Sequence, residues 1–289
     1  MALMRFTKSH GAGNDFVVVH DLVNGLDLTA EVVRALCDRR RGVGADGVLR
    51  ITGDDAADAF MDHRNADGSP AEMCGNGIRV VAKHLVEQLG VAGPEVRIAT
   101  RGGLKTVEVH RDGAGRVVGA TVDMGPPELV PAAIPFDHDG AEAVDVPVDA
   151  SGEPVRLTAV SMGNPHAVIV VDDVATAPVT TLGPVLEGHE RFPKRTNVEF
   201  VVPGTGAVRV WERGVGETAA CGSGACAVLV ALQRLGRADN EVVLHFPGGD
   251  LTVRHIPSEH PSVFLTGDAA DVFTGEVDRQ WFDDRNVSL

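Results

Sequence analysis

A Cys-Gly-x-Gly tetrapeptide leading into an apolar, helix-periodic run occurs twice in this chain, and the segments around it recur with it. Cys74-Gly75-Asn76-Gly77 runs into Ile78 through Leu85, and Cys221-Gly222-Ser223-Gly224 runs into Ala225 through Leu232. Both runs read as helices, and both close on Leu-Gly, Leu89-Gly90 and Leu235-Gly236, as expected where a left-handed glycine ends a helix. Downstream, Ile98 to Val109 resembles Leu244 to His255, each a pair of strands joined through Gly-Gly, Gly102-Gly103 and Gly248-Gly249. Upstream, Asn14 to Asp21 resembles Asn164 to Asp172, an asparagine turn feeding a buried strand. The copies lie 146 to 150 residues apart and keep their order. Three ordered matches at one offset imply two related domains, with strands and helices alternating in each.

The length of 289 residues accommodates two such domains. The stretch from Gly125-Pro126-Pro127 to Pro154 is rich in Pro, Gly and Asp, which suits a connection with short edge strands, so the boundary belongs nearby. With 44% hydrophobic and 23% charged residues the composition is that of a globular protein. The opening residues lack the apolar core of a signal peptide, and no apolar run approaches a membrane span, so a cytoplasmic location is expected. A formal net charge of −15 disfavours contact with a phosphate backbone and makes nucleic acid an unexpected partner.

Four cysteines in a chain of this length do not suggest a disulfide framework, and Cys37, Cys74, Cys221 and Cys226 include no C-x-x-C spacing, so zinc has weak support. Cys37 falls on the apolar face of a helix and Cys226 inside another, where a small buried thiol simply packs. Cys74 and Cys221 stand where a helix begins. There, successive backbone N–H groups and the helix dipole favour a thiolate, and the glycines leave room for a substrate carboxylate. One such position could serve a hydrolase. Two suggest opposed thiols moving a proton from one face of an α-carbon to the other, with cysteine suited to act as acid or base near neutral pH. Carbanion character would be stabilised through hydrogen bonds to the carboxylate, without a pyridoxal lysine.

Two longer motifs enclose these cysteines: Asn65-Ala66-Asp67-Gly68-Ser69 ahead of Met73-Cys74-Gly75-Asn76-Gly77, and Glu212-Arg213-Gly214-Val215-Gly216-Glu217-Thr218 ahead of Cys221-Gly222-Ser223-Gly224. Together with His10 to Phe16, Gly163-Asn164-Pro165-His166 and Asn197, they closely resemble the diaminopimelate epimerase family across most of the chain. The resemblance implies interconversion of L,L- and meso-diaminopimelate on the bacterial route to lysine and peptidoglycan, with no cofactor and no metal. Cys74 and Cys221 would be the acid–base pair. Asn14, Asn65, Asn164, Asn197, Glu212 and Arg213 would hold the substrate, Gly75, Asn76, Gly222 and Ser223 would cradle a carboxylate, and His166 and Glu212 would tune the thiols. A bidentate Arg213 and acceptors for the ammonium groups suit a substrate with two amino-acid ends. Gly47, also expected at the substrate, stands where the family often has glutamine, so a side-chain contact there is missing or replaced.

The fold implied is α/β, of the α+β kind: two pseudo-symmetric domains, each a curved and mostly antiparallel sheet around a central helix, with an active-site cleft between them. The expected domains are residues 1–123 plus 267–289 and residues 124–266, the return of the final segment resting on the resemblance alone. A homodimer is expected on the same ground, although the tyrosine that some relatives place at the dimer interface has no counterpart in a chain without tyrosine. Three other readings fit less of the sequence. Proline and hydroxyproline racemases share the two-thiol chemistry but tend to carry histidine where this chain has Asn76, and they lack the Glu-Arg-Gly-x-Gly-Glu motif. A relative acting on another amino acid, such as histidine, would keep both cysteines and change the distal contacts. A non-catalytic binding protein of the same fold would tolerate loss of a thiol, and neither is lost.

Overall fold

The structure is a computed structural model that describes residues 3–285. The chain forms two compact units, one holding the residues up to Val122 together with those from Gly267 onward, the other holding Asp123–Thr266.

The first unit begins with β1 (Leu3–Gly11) and β2 (Asn14–His20), an antiparallel pair, followed by α1 (Ala30–Cys37) and by β3 (Gly47–Thr52), which pairs parallel with β2. Antiparallel β4 (Ala59–Asn65) leads into α2 (Gly75–Glu87), and then β5 (Glu95–Thr100) lies parallel to β4. β6 (Gly103–Arg111) and β7 (Val117–Gly125) continue antiparallel. Every residue of α2 from Gly75 to Leu85 is buried, and the helix packs against all of β1 to β6. A single 13-residue helix can touch six strands only if the sheet curls around it. The central strands β2 and β3 are correspondingly buried on both faces, whereas β5 and β6 alternate buried and exposed residues. On β2, Val17 and Val19 join α1 residues Val32, Val33 and Leu36 in one core, while Phe16 turns by the two-residue period towards α2.

The second unit repeats this plan. β8 (Val146–Ala150) edges β9 (Glu153–Ser161), which pairs antiparallel with β10 (Pro165–Val170); α3 (Val179–Glu187) then leads to β11 (Asn197–Val202), parallel to β10. Antiparallel β12 (Ala207–Glu212) and the short β13 (Gly216–Thr218) precede α4 (Gly222–Arg234). β14 (Glu241–Phe246), parallel to β12, turns into antiparallel β15 (Gly249–Ile256), with β16 (Ser262–Asp268) after it. α4 is buried along almost its whole length and packs against β9, β10, β11, β14 and β15. The chain returns to the first unit with β17 (Ala270–Asp278), antiparallel to β1, and α5 (Arg279–Asp283).

The duplication inferred from three sequence matches therefore extends to strand order and register. Phe16 faces Gly47 across the parallel pair of the first unit, and His166 faces Asn197 across that of the second, both at an offset of 150. Val48 faces Arg64 where Val198 faces Trp211, the second partner at an offset of 147, which is also the cysteine offset. Gly90 and Gly236, after the two buried helices, both adopt left-handed φ, +72° and +67°, so the predicted helix ends are correct. The mixed α/β, mostly antiparallel architecture likewise agrees with the sequence reading.

Candidate active site

Cys74 is the N-cap of α2. Its backbone is extended, with φ −140° and ψ 118°, and its Sγ accepts the Gly77 amide at 3.4 Å. Cysteine here takes the role that serine or aspartate usually fills, placing sulfur against the positive end of a buried helix. Its thiol lies 3.7 Å from Asn14 Oδ1, which also receives Asn76 Nδ2 at 3.4 Å. Asn14 is tethered in turn by donating to Asp46 Oδ2 at 2.9 Å. Asp46 belongs to a charged cluster with Lys8, Asp15 and Arg39. Burial opposes ionisation of Asp15, but hydrogen bonds from Arg39 and Lys8 outweigh it and hold its carboxyl well below the usual range. In the first unit, then, Asn14, Asn76 and Cys74 converge. Asn65 stands at the end of β4 with its amide donating to Ser69 Oγ at 3.0 Å, and Gly47 is its cross-strand partner. Gly47 can offer only backbone, because a Cβ there would lie 2.6 Å from the Arg64 carbonyl oxygen.

Cys221 caps α4 in the same way, with φ −124°, ψ 119° and the Gly224 amide 3.4 Å from Sγ. The Ser223 hydroxyl is 3.6 Å from the sulfur. The surroundings differ, for two carboxylates are nearby. Burial, then Glu212, then Glu199, push the thiol up, against the opposing contacts from Ser223 and the Gly224 amide. Burial also pushes the Glu212 carboxyl up, against hydrogen bonds from Thr218 Oγ1 and the Cys221 thiol. His166 is fully buried between Glu199 Oε1, 2.7 Å from Nδ1, and Asn164 Oδ1, 3.1 Å from Nε2. The second unit thus brings Asn164, His166, Glu212, Ser223 and Cys221 into one connected corner.

Asn197 and Arg213 form a neighbouring clamp. The buried Asn197 amide donates to the Pro165 carbonyl at 2.9 Å and accepts the Arg213 N–H at 2.9 Å, while Arg213 Nη1 donates to the Lys194 carbonyl at 3.0 Å. Arg213 is exposed and its guanidinium keeps further donors. The other two cysteines are buried; burial pushes the Cys37 thiol up to about 12, and Cys226 has no exposed surface. Sequence reasoning missed Glu199, Asp46 and Arg79. Glu199 had a signal, a carboxylate in the apolar strand Asn197-Val198-Glu199-Phe200-Val201, where every neighbour is buried.

Two units of one repeated topology, each with a thiol capping a buried helix, make a fold shared with solved structures of low sequence identity. A hydroxyproline epimerase from Agrobacterium vitis superposes with a TM-score of 0.69 at 16% identity, covering 96% of this chain and 91% of its own. A phenazine biosynthesis protein of the PhzF family from Bacillus anthracis gives 0.67 at 16% identity, covering 96% and 100%. The family model described as diaminopimelate epimerase matches residues 6–130 and 158–272. Diaminopimelate epimerases from Agathobacter rectalis and Moorella thermoacetica are each 45% identical, over 95% and 94% of this chain and 99% of each relative. The chain belongs to the diaminopimelate epimerase family and is an isomerase of the amino-acid epimerase class.

Proposed function

We infer that this chain interconverts L,L- and meso-diaminopimelate without a cofactor, using Cys74 and Cys221 as an acid–base pair, on the bacterial route to lysine and peptidoglycan. The observation that carries the reading is the doubled N-cap: each sulfur accepts a glycine amide at 3.4 Å at the start of a buried helix, in a chain of this family. One thiolate removes the α-proton and the other thiol returns a proton to the opposite face; in reverse the roles exchange. The amides at Gly75–Asn76 and Gly222–Ser223 take the reacting carboxylate, whose growing negative charge the two helix N-termini stabilise. Arg213 receives the distant carboxylate, and Asn14, Asn65, Asn164, Asn197 and Glu212 supply polar partners to the amino groups. Gly47 adds a backbone surface to that end.

The same family likeness supports assigning residues 1–123 with 267–289 and residues 124–266 as the two epimerase domains, and a cytoplasmic homodimer as the working form. No helix among the described residues is long and apolar enough to cross a membrane.

Purified protein in deuterium oxide should exchange one α-proton of diaminopimelate with no added cofactor. Cys74→Ala and Cys221→Ala should each slow epimerisation by about 10³-fold or more, the scale of a lost general acid–base group. Full activity in either variant sinks the mechanism, and turnover of proline in place of diaminopimelate moves the assignment to a proline racemase.

A further inference from the structure

The two thiols are held by equivalent backbone, but what lies beneath them differs in kind. A Cβ added at Gly77 would meet Leu49 at 3.1 Å and Phe16 at 3.5 Å, two buried apolar side chains. A Cβ added at Gly224 would meet Glu199 Oε1 at 2.6 Å and Cys221 Sγ at 3.3 Å. The register makes Glu199 the counterpart of Leu49 and His166 the counterpart of Phe16, both at the offset of 150. Where the first unit has an apolar pair, the second has a histidine and a glutamate with no exposed side-chain surface.

Packing does not account for that difference. A buried carboxylate is costly, and the sister unit fills the same positions with leucine and phenylalanine. Glu199 moreover uses one oxygen on His166 Nδ1, while its Oε2 is buried with no hydrogen-bond partner among the described residues. His166 meets the Glu199 carboxylate at Nδ1 and the Asn164 side-chain oxygen at Nε2, so the ring links the two.

We propose that Glu199 is a positioning residue for Cys221: through His166 it holds the imidazole and Asn164 in one arrangement, and across the Gly224 gap its charge keeps the Cys221 sulfur protonated between turnovers. The groups acting on that sulfur are Glu212 from β12, Glu199 from β11, and Ser223 with the Gly224 amide from its own helix, and His166 of β10 is bonded to Glu199. Both carboxylates push the thiol up, which agrees with the proposal. At the equivalent place in the first unit, against Gly77, lie the apolar side chains of Leu49 and Phe16. The inference rests on the two-thiol reading above, but its test needs no substrate.

Glu199→Gln keeps the size and the acceptor to His166 Nδ1 and removes the charge. The rates at which methyl methanethiosulfonate modifies Cys74 and Cys221 in the intact protein are followed by mass spectrometry across pH 5 to 10. Removing the negative charge eases ionisation, so the Cys221 profile should move down by about one pH unit and the Cys74 profile should stay in place. In the same variant kcat for diaminopimelate should fall by about tenfold with KM little changed. The double variant His166→Phe with Glu199→Leu copies the apolar pair of the first unit and should give the same Cys221 shift if Glu199→Gln does not fold. A Cys221 profile that coincides with the wild type, an equal shift at both thiols, or failure of both variants to fold overturns the proposal. Absence of diaminopimelate turnover by the wild type would instead overturn the proposed function and leave the thiol readout standing.

Discussion

Arg79 Nη2 donates to Asn76 Oδ1 across 3.0 Å from a guanidinium with no exposed surface. The same side chain donates to the Gly75 carbonyl at 2.9 Å and to the Asp268 carbonyl at 3.1 Å. One buried cation thus ties the first turn of α2, the Asn76 amide and the end of β16 together within the first unit. At an offset of 147 the second unit has Cys226 in its place, a small buried side chain.

Arg79→Met keeps much of the volume and strips donors from three acceptors. Leaving buried acceptors unmatched should cost about 2–4 kcal/mol in urea unfolding. KM should rise as well, because the Asn76 amide loses the contact that sets its orientation. Wild-type stability in this variant would show that the guanidinium is not holding the turn.

Gly77→Ala and Gly224→Ala should differ sharply, although the residues are equivalent. At Gly77 the new methyl meets Leu49 at 3.1 Å, a side chain that can shift; at Gly224 it meets Glu199 Oε1 at 2.6 Å, an oxygen pinned by His166. Overpacking of this sort costs about 1–3 kcal/mol, so Gly224→Ala should lower the unfolding midpoint well below that of Gly77→Ala. Equal midpoints would mean that the Glu199 side chain is free to move.

Gly47→Gln restores the residue that many relatives carry and should harm the protein. Its Cβ would sit 2.6 Å from the Arg64 carbonyl oxygen and 3.1 Å from His63 Nε2. Loss of about 1–3 kcal/mol with no improvement in KM is expected. A stable variant with a lower KM would show that the strand opens to seat the side chain.

Acid should weaken the first unit well before its carboxylates titrate. Burial first, then His84, lower His20 to about 4, and burial first, then Arg101, lower His63 to about 4. Both rings are neutral in the folded chain, so between about pH 6.5 and 4 the unfolded chain binds protons that the folded one does not, and stability rises with pH across that window. Asp271 acts lower on the scale. Burial opposes its ionisation, but hydrogen bonds from His84 and Ser9 hold it at about 2, so its contribution is present above about pH 4 and lost on the way to pH 2. Urea unfolding at pH 7.5, 5.5 and 4.5 should give falling stability, and His63→Phe should flatten the decline; an unchanged slope would place the protons elsewhere.

What could be read along the chain was what depends on near neighbours. Cysteine before Gly-x-Gly, helix periodicity and closing Leu-Gly are local signals, and the caps at Cys74 and Cys221 and the left-handed Gly90 and Gly236 stand where those signals put them. Glu199 and Arg79 were not found this way. Each matters because of a residue far off in the chain, His166 for one and Asp268 for the other, and contacts between distant strands and helices carry no short-range signature. Likewise, Gly47 read as a missing contact in sequence, and only the nearby Arg64 carbonyl shows why a larger residue has no room.

The sequence by itself determined the duplicated plan, the two helix-capping thiols and the family, because repeats, caps and turn glycines are written in adjacent residues. Tertiary structure alone decided what lies beneath each helix start. Strand register sets Leu49 and Phe16 beneath one helix start and Glu199 and His166 beneath the other, and at the second the buried Glu199 carboxylate helps push the Cys221 thiol up.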